Sequence, residues 1–313
     1  MAKGDQGEDV LRFHSKMSRF RRRASACLAL AVMFAACGGG SPTAPASPPP
    51  VSPGQVVLVS IDGLRGDAAQ AAAPHLAALV RRGAATFRAQ TVIPSITLSA
   101  HASMLSGETP AVHGMTWGDW DPRQATIPVP TILTIAREAG LGTAMVVGKP
   151  KLAYLNPPGS TDVFVVCGND DDVATRALVE IHAGTHLVFV HLPDTDLAGH
   201  KHGWMTPQYL AALARADAAL GRLVAAARPT TTFIVTADHG GQGRDHGAAS
   251  GADVTIPWVI AGPGVRPQAL ATTVRVFDTA PTAAVVLGLP VPPSMEGRPV
   301  LEALAASVPG AGN

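Results

Sequence analysis

Short, unbroken apolar runs punctuate the chain: Val56–Ile61 (interrupted only by Ser60), Thr143–Val147, Leu187–Leu192, Phe233–Thr236 and Ile256–Ile260. None alternates with polar residues, the pattern of strands buried on both faces of a parallel sheet. Helical stretches lie between them. Ala73–Arg82 and Pro130–Ala139 are two, and Leu98–Ser106 is a shorter one. Thr206–Ala227 is the clearest, with Thr206 as N-cap, Pro207 at the first helical position and an apolar stripe of Leu210, Leu213, Ala214, Leu220 and Leu223. Asp278, in Asp278-Thr279-Ala280-Pro281, is placed to cap a last helix through Leu287. Strands alternating with helices predict an α/β fold: a three-layer α/β/α sandwich with a mostly parallel central sheet and right-handed crossovers. No internal repeat is visible.

The first part of the chain has a different character. Arg19–Arg23 is basic, Ala24–Ala36 is apolar, and Phe34-Ala35-Ala36 leads into Cys37 and three glycines. A basic start, a short apolar run and small residues at a cut site form an export signal. The run is shorter than the ~20 residues that span a bilayer. Ala-Ala-Cys resembles a bacterial lipobox, which predicts a lipidated Cys37 facing the periplasm or cell surface; a plain secretory signal with an incidental Cys is the alternative. Met1–Lys16 fits no signal pattern, and Met17 is read as the start of the leader. The expected organisation is residues 1–37 as extension and signal, 38–54 as a Pro/Ser-rich tether, 55–308 as one folded domain and 309–313 as a tail.

Composition narrows the function classes. The net charge of +1 provides no broad field for a nucleic acid partner. Hydrophobic residues make up 47% but aromatics only 4%, which favours a core of Ala, Val and Leu over an aromatic-rich β sandwich. Of the 3 cysteines, Cys27 and Cys37 lie in the leader, so Cys167 has no partner for an internal disulfide. The 11 histidines carry more information, because several cluster with Asp.

The polar residues fall where an α/β sheet binds ligands, beyond the carboxyl ends of strands. Asp62 follows the first apolar run, Asp196 and His200 follow the run ending at Leu192, and Asp238 and His239 follow the one ending at Thr236. One Asp after a strand is more often a turn residue or helix cap; three such places with His attached are harder to explain that way. Asp196 and His200 sit four apart, on one face of a helical turn. Asp238-His239 opens the glycine-rich Gly240-Gly241-Gln242-Gly243 loop, with His246-Gly247 beyond it, and adjacent glycines let a backbone bend closely around an ion. Three carboxylates and three imidazoles suit Zn²⁺ and also Mn²⁺, and are too many for one four-coordinate ion. They point to two divalent metal ions.

Four segments, Val59-Ser60-Ile61-Asp62-Gly63-Leu64-Arg65, Pro94-Ser95-Ile96-Thr97 with His101, Asp196-Leu197-Ala198-Gly199-His200, and Asp238-His239-Gly240 with His246-Gly247, occur in this order. In this the chain resembles the type I phosphodiesterase and nucleotide pyrophosphatase branch of the alkaline phosphatase superfamily, over roughly Val56–Pro299. The resemblance implies an alkaline phosphatase-like fold and a phosphohydrolase using two metal ions, usually zinc. It implies one ion at Asp62, Thr97, Asp238 and His239 and the other at Asp196, His200 and His246. It also implies that Thr97 is the nucleophile; without the metal-ligand residues, Thr97 would read as a plain N-cap of the Leu98–Ser106 helix.

The expected substrate is a small phosphate ester, of the phosphodiester or nucleotide pyrophosphate type. Many relatives place a phosphate-contacting Asn where this chain has Gly118, with Trp117 and Asp119 beside it. In Gly148-Lys149-Pro150-Lys151, Lys149 and Lys151 are candidate clamps for a phosphate monoester, or else two solvated lysines. The alternatives are therefore a phosphomonoesterase and a noncatalytic lipoprotein that binds a phosphorylated ligand. The short gap between His239 and His246 predicts an open site. His101 is placed to face the site and His202 to support it from behind; His75, His182, His186 and His191 have no partner in the sequence.

Overall fold

The structure, a computed structural model, describes residues 54–305. The export signal, Cys37 and the tether expected in the first 53 positions lie outside the described residues.

In chain order the elements are β1 (Val56–Ile61), α1 (Gly66–Ala72), α2 (Pro74–Val80), β2 (Ala84–Gln90), α3 (Thr97–Ser106), α4 (Pro110–His113), α5 (Ile132–Glu138), β3 (Thr143–Val147), β4 (Val163–Val166), α6 (Asp170–Ala183), β5 (Leu187–Leu192), α7 (Asp194–His202), α8 (Pro207–Ala226), β6 (Thr232–Thr236), α9 (Gly251–Val254), β7 (Thr255–Ala261), β8 (Gln268–Ala269) and α10 (Thr279–Val286). The strands form one eight-stranded sheet in the order β4-β3-β5-β1-β6-β7-β2-β8. Two sets of helices pack within themselves around it, α1, α2, α6, α7 and α8 in one and α3, α4, α5 and α10 in the other. β1, β3, β5 and β6 are buried along their whole length, which is why their sequences show no polar alternation.

The run at Ile256–Ile260 is the exception within the sheet. As part of β7 it pairs antiparallel with both β6 and β2, whereas the other pairings are parallel. The cause is its connection. A parallel neighbour needs a long crossover, usually a helix; residues 237–254 between β6 and β7 contain only the one-turn α9 and loop. That stretch doubles back beyond the strand ends and carries three of the candidate ligands.

Thr206 caps α8 through its hydroxyl, which accepts the Tyr209 N–H, and Pro207 takes the first position. Ala214, read as part of the apolar stripe, is exposed; Ala212, Ala216 and Ala219 are buried instead. Asp278 precedes α10 without capping it by its side chain. Its carboxylate accepts the backbone N–H of Arg275 and of Arg298, tying the chain end to the helix start.

Candidate metal and phosphate site

β1, β5 and β6 run parallel and in register, so the residues after them meet at one rim. Asp62 leaves β1, α7 brings Asp196 and His200 after β5, and Asp238 and His239 leave β6. Gly63 lets the first and last of these approach. Its φ is 70°, its N–H donates to Asp238 Oδ1 at 3.0 Å, and a Cβ there would lie 3.0 Å from the Asp196 backbone. Only glycine meets both conditions at low cost. The glycines after His239 serve a different purpose from the one expected of them. A Cβ at Gly240 would strike the Ala252 carbonyl and one at Gly241 the Trp204 ring, so they make room for protein rather than for an ion.

The imidazoles are oriented by backbone carbonyls. His239 Nδ1 donates to the Gly240 carbonyl at 2.8 Å, His246 Nδ1 to that of Ser95 at 2.9 Å and His200 Nδ1 to that of Arg244 at 3.0 Å. A carbonyl oxygen can only accept, so Nδ1 carries the proton in all three rings and the neutral ring's Nε2 lone pair is free. Those lone pairs converge. His239 Nε2 lies 3.2 Å from Asp238 Oδ2 and 3.5 Å from Asp62 Oδ1. His200 and His246 Nε2 lie 3.5 and 3.6 Å from Asp196 Oδ1 and 3.1 Å from each other. Two bare lone pairs facing each other call for a cation between them.

The carboxylates tell the same story. Asp62 Oδ1, Asp196 Oδ1, Asp238 Oδ2 and His239 Nε2 are buried with no hydrogen-bond partner, although buried polar atoms rarely go unsatisfied. Two overlapping groups, Asp62–Asp238–His239 and Asp196–His239–His246, each bring three ligand atoms within 4.8 Å of one another, with His239 shared. His200 joins the second group through its contacts with Asp196 and His246. The donor set thus fits divalent ions with mixed oxygen and nitrogen ligands.

Burial shapes the electrostatics. It pushes the His239 and His246 rings toward the neutral form, His246 down to about 4, where the neighbouring His239 adds to the effect; both are ready to ligate without losing a proton. Burial also pushes the Asp238 carboxyl well up, and the Asp62 charge pushes it further. At Asp62 burial acts upward too, but the Lys149 ammonium and the His191 hydrogen bond outweigh it and hold the group well below the carboxylate range.

Thr97 is the first residue of α3, one position inside the helix, and its hydroxyl makes no capping bond. The N-cap reading of Thr97 is therefore replaced by another: Oγ1 accepts from Lys149 Nζ at 3.3 Å. The same ammonium lies 2.8 Å from Asp62 Oδ2 and 2.5 Å from Asp196 Oδ2. Lys151 points elsewhere and donates to the Gly118 carbonyl at 2.8 Å. Trp117 is half-buried with its Nε1 unpaired, and Asp119 is exposed.

Behind the rim lie His191, which has no visible role in the sequence, and His101, expected to face the site. His191, on β5, takes the Gly148 N–H at Nδ1, so its Nε2–H donates to Asp62 Oδ2 at 2.7 Å. His101 donates from Nδ1 to the Thr97 carbonyl at 2.7 Å and accepts from the Ser60 hydroxyl at 2.8 Å, fixing the first turn of α3 to β1. His202, expected to support the site from behind, is half-buried and lines a surface hollow with Lys201 and Arg215 that contains none of the candidate ligands. His191 sits in an apolar run, and only its register opposite Ser60 would have marked it.

Residues 56–249, which include every candidate ligand, match the profile of the type I phosphodiesterase / nucleotide pyrophosphatase family. A phosphopentomutase of Methylobacterium sp. (strain 4-46) is 35% identical over 178 residues, 54% of this chain and 42% of the relative. A 2,3-bisphosphoglycerate-independent phosphoglycerate mutase of Rhodopirellula baltica is 30% identical over 144 residues, 44% of this chain and 26% of the relative. The chain thus spans less than half the length of these curated relatives. Among solved structures, murine ectonucleotide pyrophosphatase/phosphodiesterase 5, an inactive variant in complex with AMP, superposes with a TM-score of 0.66 at 15% identity, over 77% of this chain and 96% of the other. A protein from Bacteroides thetaiotaomicron described as a putative sulfatase does so at 0.66 and 14%, over 80% and 74%.

The ligand helix α7 is held from outside the site. The buried Asp170 accepts the Asp194 N–H, at the start of α7, at 3.0 Å. Burial and the nearby Asp194 charge push the Asp170 carboxyl up to about 7. The folded protein keeps this proton up to about pH 7, while the unfolded chain loses it near ~4. The contribution of Asp170 to stability therefore declines through this window and levels off above it. Asp170→Asn keeps an acceptor for Asp194 and cannot ionise, so it should gain on wild type between pH 4.5 and pH 8. Urea denaturation at the two pH values checks this; an unchanged difference would show that Asp170 does not titrate in the fold.

Proposed function

The chain belongs to the type I phosphodiesterase/nucleotide pyrophosphatase family, within the alkaline phosphatase superfamily, and on that premise we propose that it is a two-metal phosphoric ester hydrolase cleaving phosphodiester or nucleotide pyrophosphate bonds through Thr97. One observation carries the reading: three tethered imidazoles and three buried carboxylates turn free lone pairs toward a common space, and the Thr97 hydroxyl shares the Lys149 ammonium with two of those carboxylates.

Asp62, Asp238 and His239 would hold one ion, with Thr97 beside it, and Asp196, His200 and His246 the other. Two divalent ions, zinc in this proposal, would make the threonine hydroxyl acidic enough to react and take up charge on the phosphoryl and leaving oxygens. Thr97 Oγ1 attacks phosphorus in line. The Oγ1–P bond forms as the bond to the leaving oxygen breaks, the hydroxyl proton passes to solvent, and the leaving oxygen takes a proton in turn. Water then hydrolyses the phosphothreonine and restores the hydroxyl. His191 and His101 hold Asp62 and the Thr97 backbone in place, and Lys149 places positive charge where the phosphoryl oxygens gather. Sulfatase chemistry is less well supported, because position 97 is Thr and no Cys/Ser-x-Pro-x-Arg motif surrounds it.

Zinc-loaded protein should hydrolyse an aryl phosphodiester, and Thr97→Ala should lower the rate by roughly a thousandfold or more while retaining two metal ions per chain. Full activity in that variant would remove Thr97 from the role. No turnover of any ester by zinc-loaded wild type would favour the noncatalytic, ligand-binding alternative.

A second reading, phosphomonoesterase, draws on the position of Lys149 against the Thr97 hydroxyl, where an ammonium meets the extra charge of a monoester. Because Lys151 is engaged with the Gly118 carbonyl, Lys149 alone fills the clamp role in this reading. Lys149→Ala should then cost a monoester about tenfold to a hundredfold in kcat/KM and a matched diester clearly less. Equal losses would exclude a monoester clamp.

We also propose export with Cys37 lipidated, on the leader pattern given above. Mass spectrometry of the mature protein should find a diacylglyceryl-modified Cys37 as the first residue; an unmodified N-terminus would leave plain secretion.

A further inference from the structure

The end of the sheet opposite the metal rim is the end at which the chain enters it. Gln55, just before β1, lies there. Its side chain donates to the Ile181 and Thr185 carbonyls ahead of β5 and accepts from the Thr231 hydroxyl ahead of β6. β7 runs against β6, and β2 against β7, so β2 also starts at this end and β7 finishes there. The Gly83 carbonyl, before β2, accordingly accepts the Gln268 N–H, and a Cβ at Gly262, after β7, would strike Thr232 at the start of β6. These loops form one continuous surface.

Its charge is one-sided. Arg81 and Arg82 precede β2, Arg228 precedes β6, Arg266 follows β7, and each is exposed. β6, β7 and β2 are neighbours in the sheet, so the arginines make a single strip. Arg137, at the same end, is neutralised by Asp162 at 2.9 Å. The strip has no such partner among the described residues. Glu138 is exposed nearby, and the Glu302 carboxylate is taken up by Ala271 and Thr272, so the end stays basic. A strand of six residues, as in β1, holds the acidic rim roughly 20 Å away, beyond the ~8 Å over which its charge acts in physiological salt.

We propose that this end lies against an anionic phospholipid bilayer and turns the metal rim toward the aqueous side. Guanidinium groups match phosphate oxygens in geometry as well as charge, and unpaired ones gather at an anionic membrane surface. A membrane is the occupant because the lipid proposed at Cys37 joins the fold through this same end. The surface goes beyond the phosphodiesterase reading and depends on neither that reading nor acylation of Cys37.

Vesicle co-sedimentation tests it on the mature chain from residue 37, made without its leader so that no acyl group is added; every residue of the described fold is kept. The protein should bind vesicles of phosphatidylcholine containing phosphatidylglycerol, not phosphatidylcholine alone, and should release as salt is raised. Each arginine at such a surface is worth about fivefold. Arg81→Gln, Arg82→Gln, Arg228→Gln and Arg266→Gln together should therefore weaken binding on the order of a hundredfold. Arg81→Gln with Arg82→Gln, in protein of unchanged Tm, should still cost about tenfold or more. Lys at all four positions should keep most of the binding. The same kind of charge loss at the rim, Lys201→Gln with Arg244→Gln, should change it by no more than about twofold. Equal binding to phosphatidylcholine alone, full binding by the Gln variants, or an equal loss in the rim variant would overturn the surface. An unmodified Cys37 in the exported protein would remove the anchor and leave these vesicle results to judge the surface by themselves.

Discussion

Three carboxylates crowded together out of reach of water are the constraint on which the rest of this structure depends. Asp62, Asp196 and Asp238 are all buried and lie within a few ångströms of one another's partners. In a low-dielectric interior such repulsion is severe, and each bare charge carries a large desolvation cost. The protein meets it in part with one ammonium, Lys149, shared between two of the three groups, and with the His191 N–H on the first. What remains uncompensated is one oxygen on each carboxylate and one lone pair on each of three imidazoles. That remainder is the shape of a cation-binding site, and the Thr97 hydroxyl stands at its edge against the Lys149 ammonium.

The fold exists at this rim in the form it does because each ligand is delivered by a different strand and held by a neighbour. Parallel pairing of β1 with β5 and β6 brings three strand ends level. Gly63 permits Asp62, Asp196 and Asp238 to approach without a clash, and the Ser60–His101–Thr97 chain ties the start of α3 to the sheet. The antiparallel β7 has its own consequence. Because β6 and β7 are joined without a crossover helix, the connecting loop stays above the rim, and His246 can reach back to Asp196 from it. His246 and His200 close the outer side of the site, where the His200 side chain is 42% exposed; the opposite side, around His239, is sealed.

Five of the six candidate ligands could be read from the chain because they follow apolar runs or keep a four-residue helical step, which local periodicity records; His246 was marked only by the loop motif around it. The strands that carry them were legible for the same reason. β2 and β4 were not: β2 is Ala-rich with an irregular register, and β4 is half-exposed at the sheet edge, so neither has the unbroken apolar signature of a central strand. α6 also escaped notice, although Asn169 caps it through its side chain.

By itself the sequence determined which residues have metal-binding chemistry, their order along the chain and the layered α/β class, because composition, spacing and hydrophobic period are local properties. Tertiary structure alone decided which of two neighbouring lysines meets the threonine, that His191 supports Asp62 from within an apolar strand, that β7 runs against its neighbours, and that glycines beside His239 accommodate Trp204 and Ala252. Each of these depends on contacts between segments dozens of residues apart, and linear spacing holds no record of which surfaces will be pressed together once the sheet has closed its order.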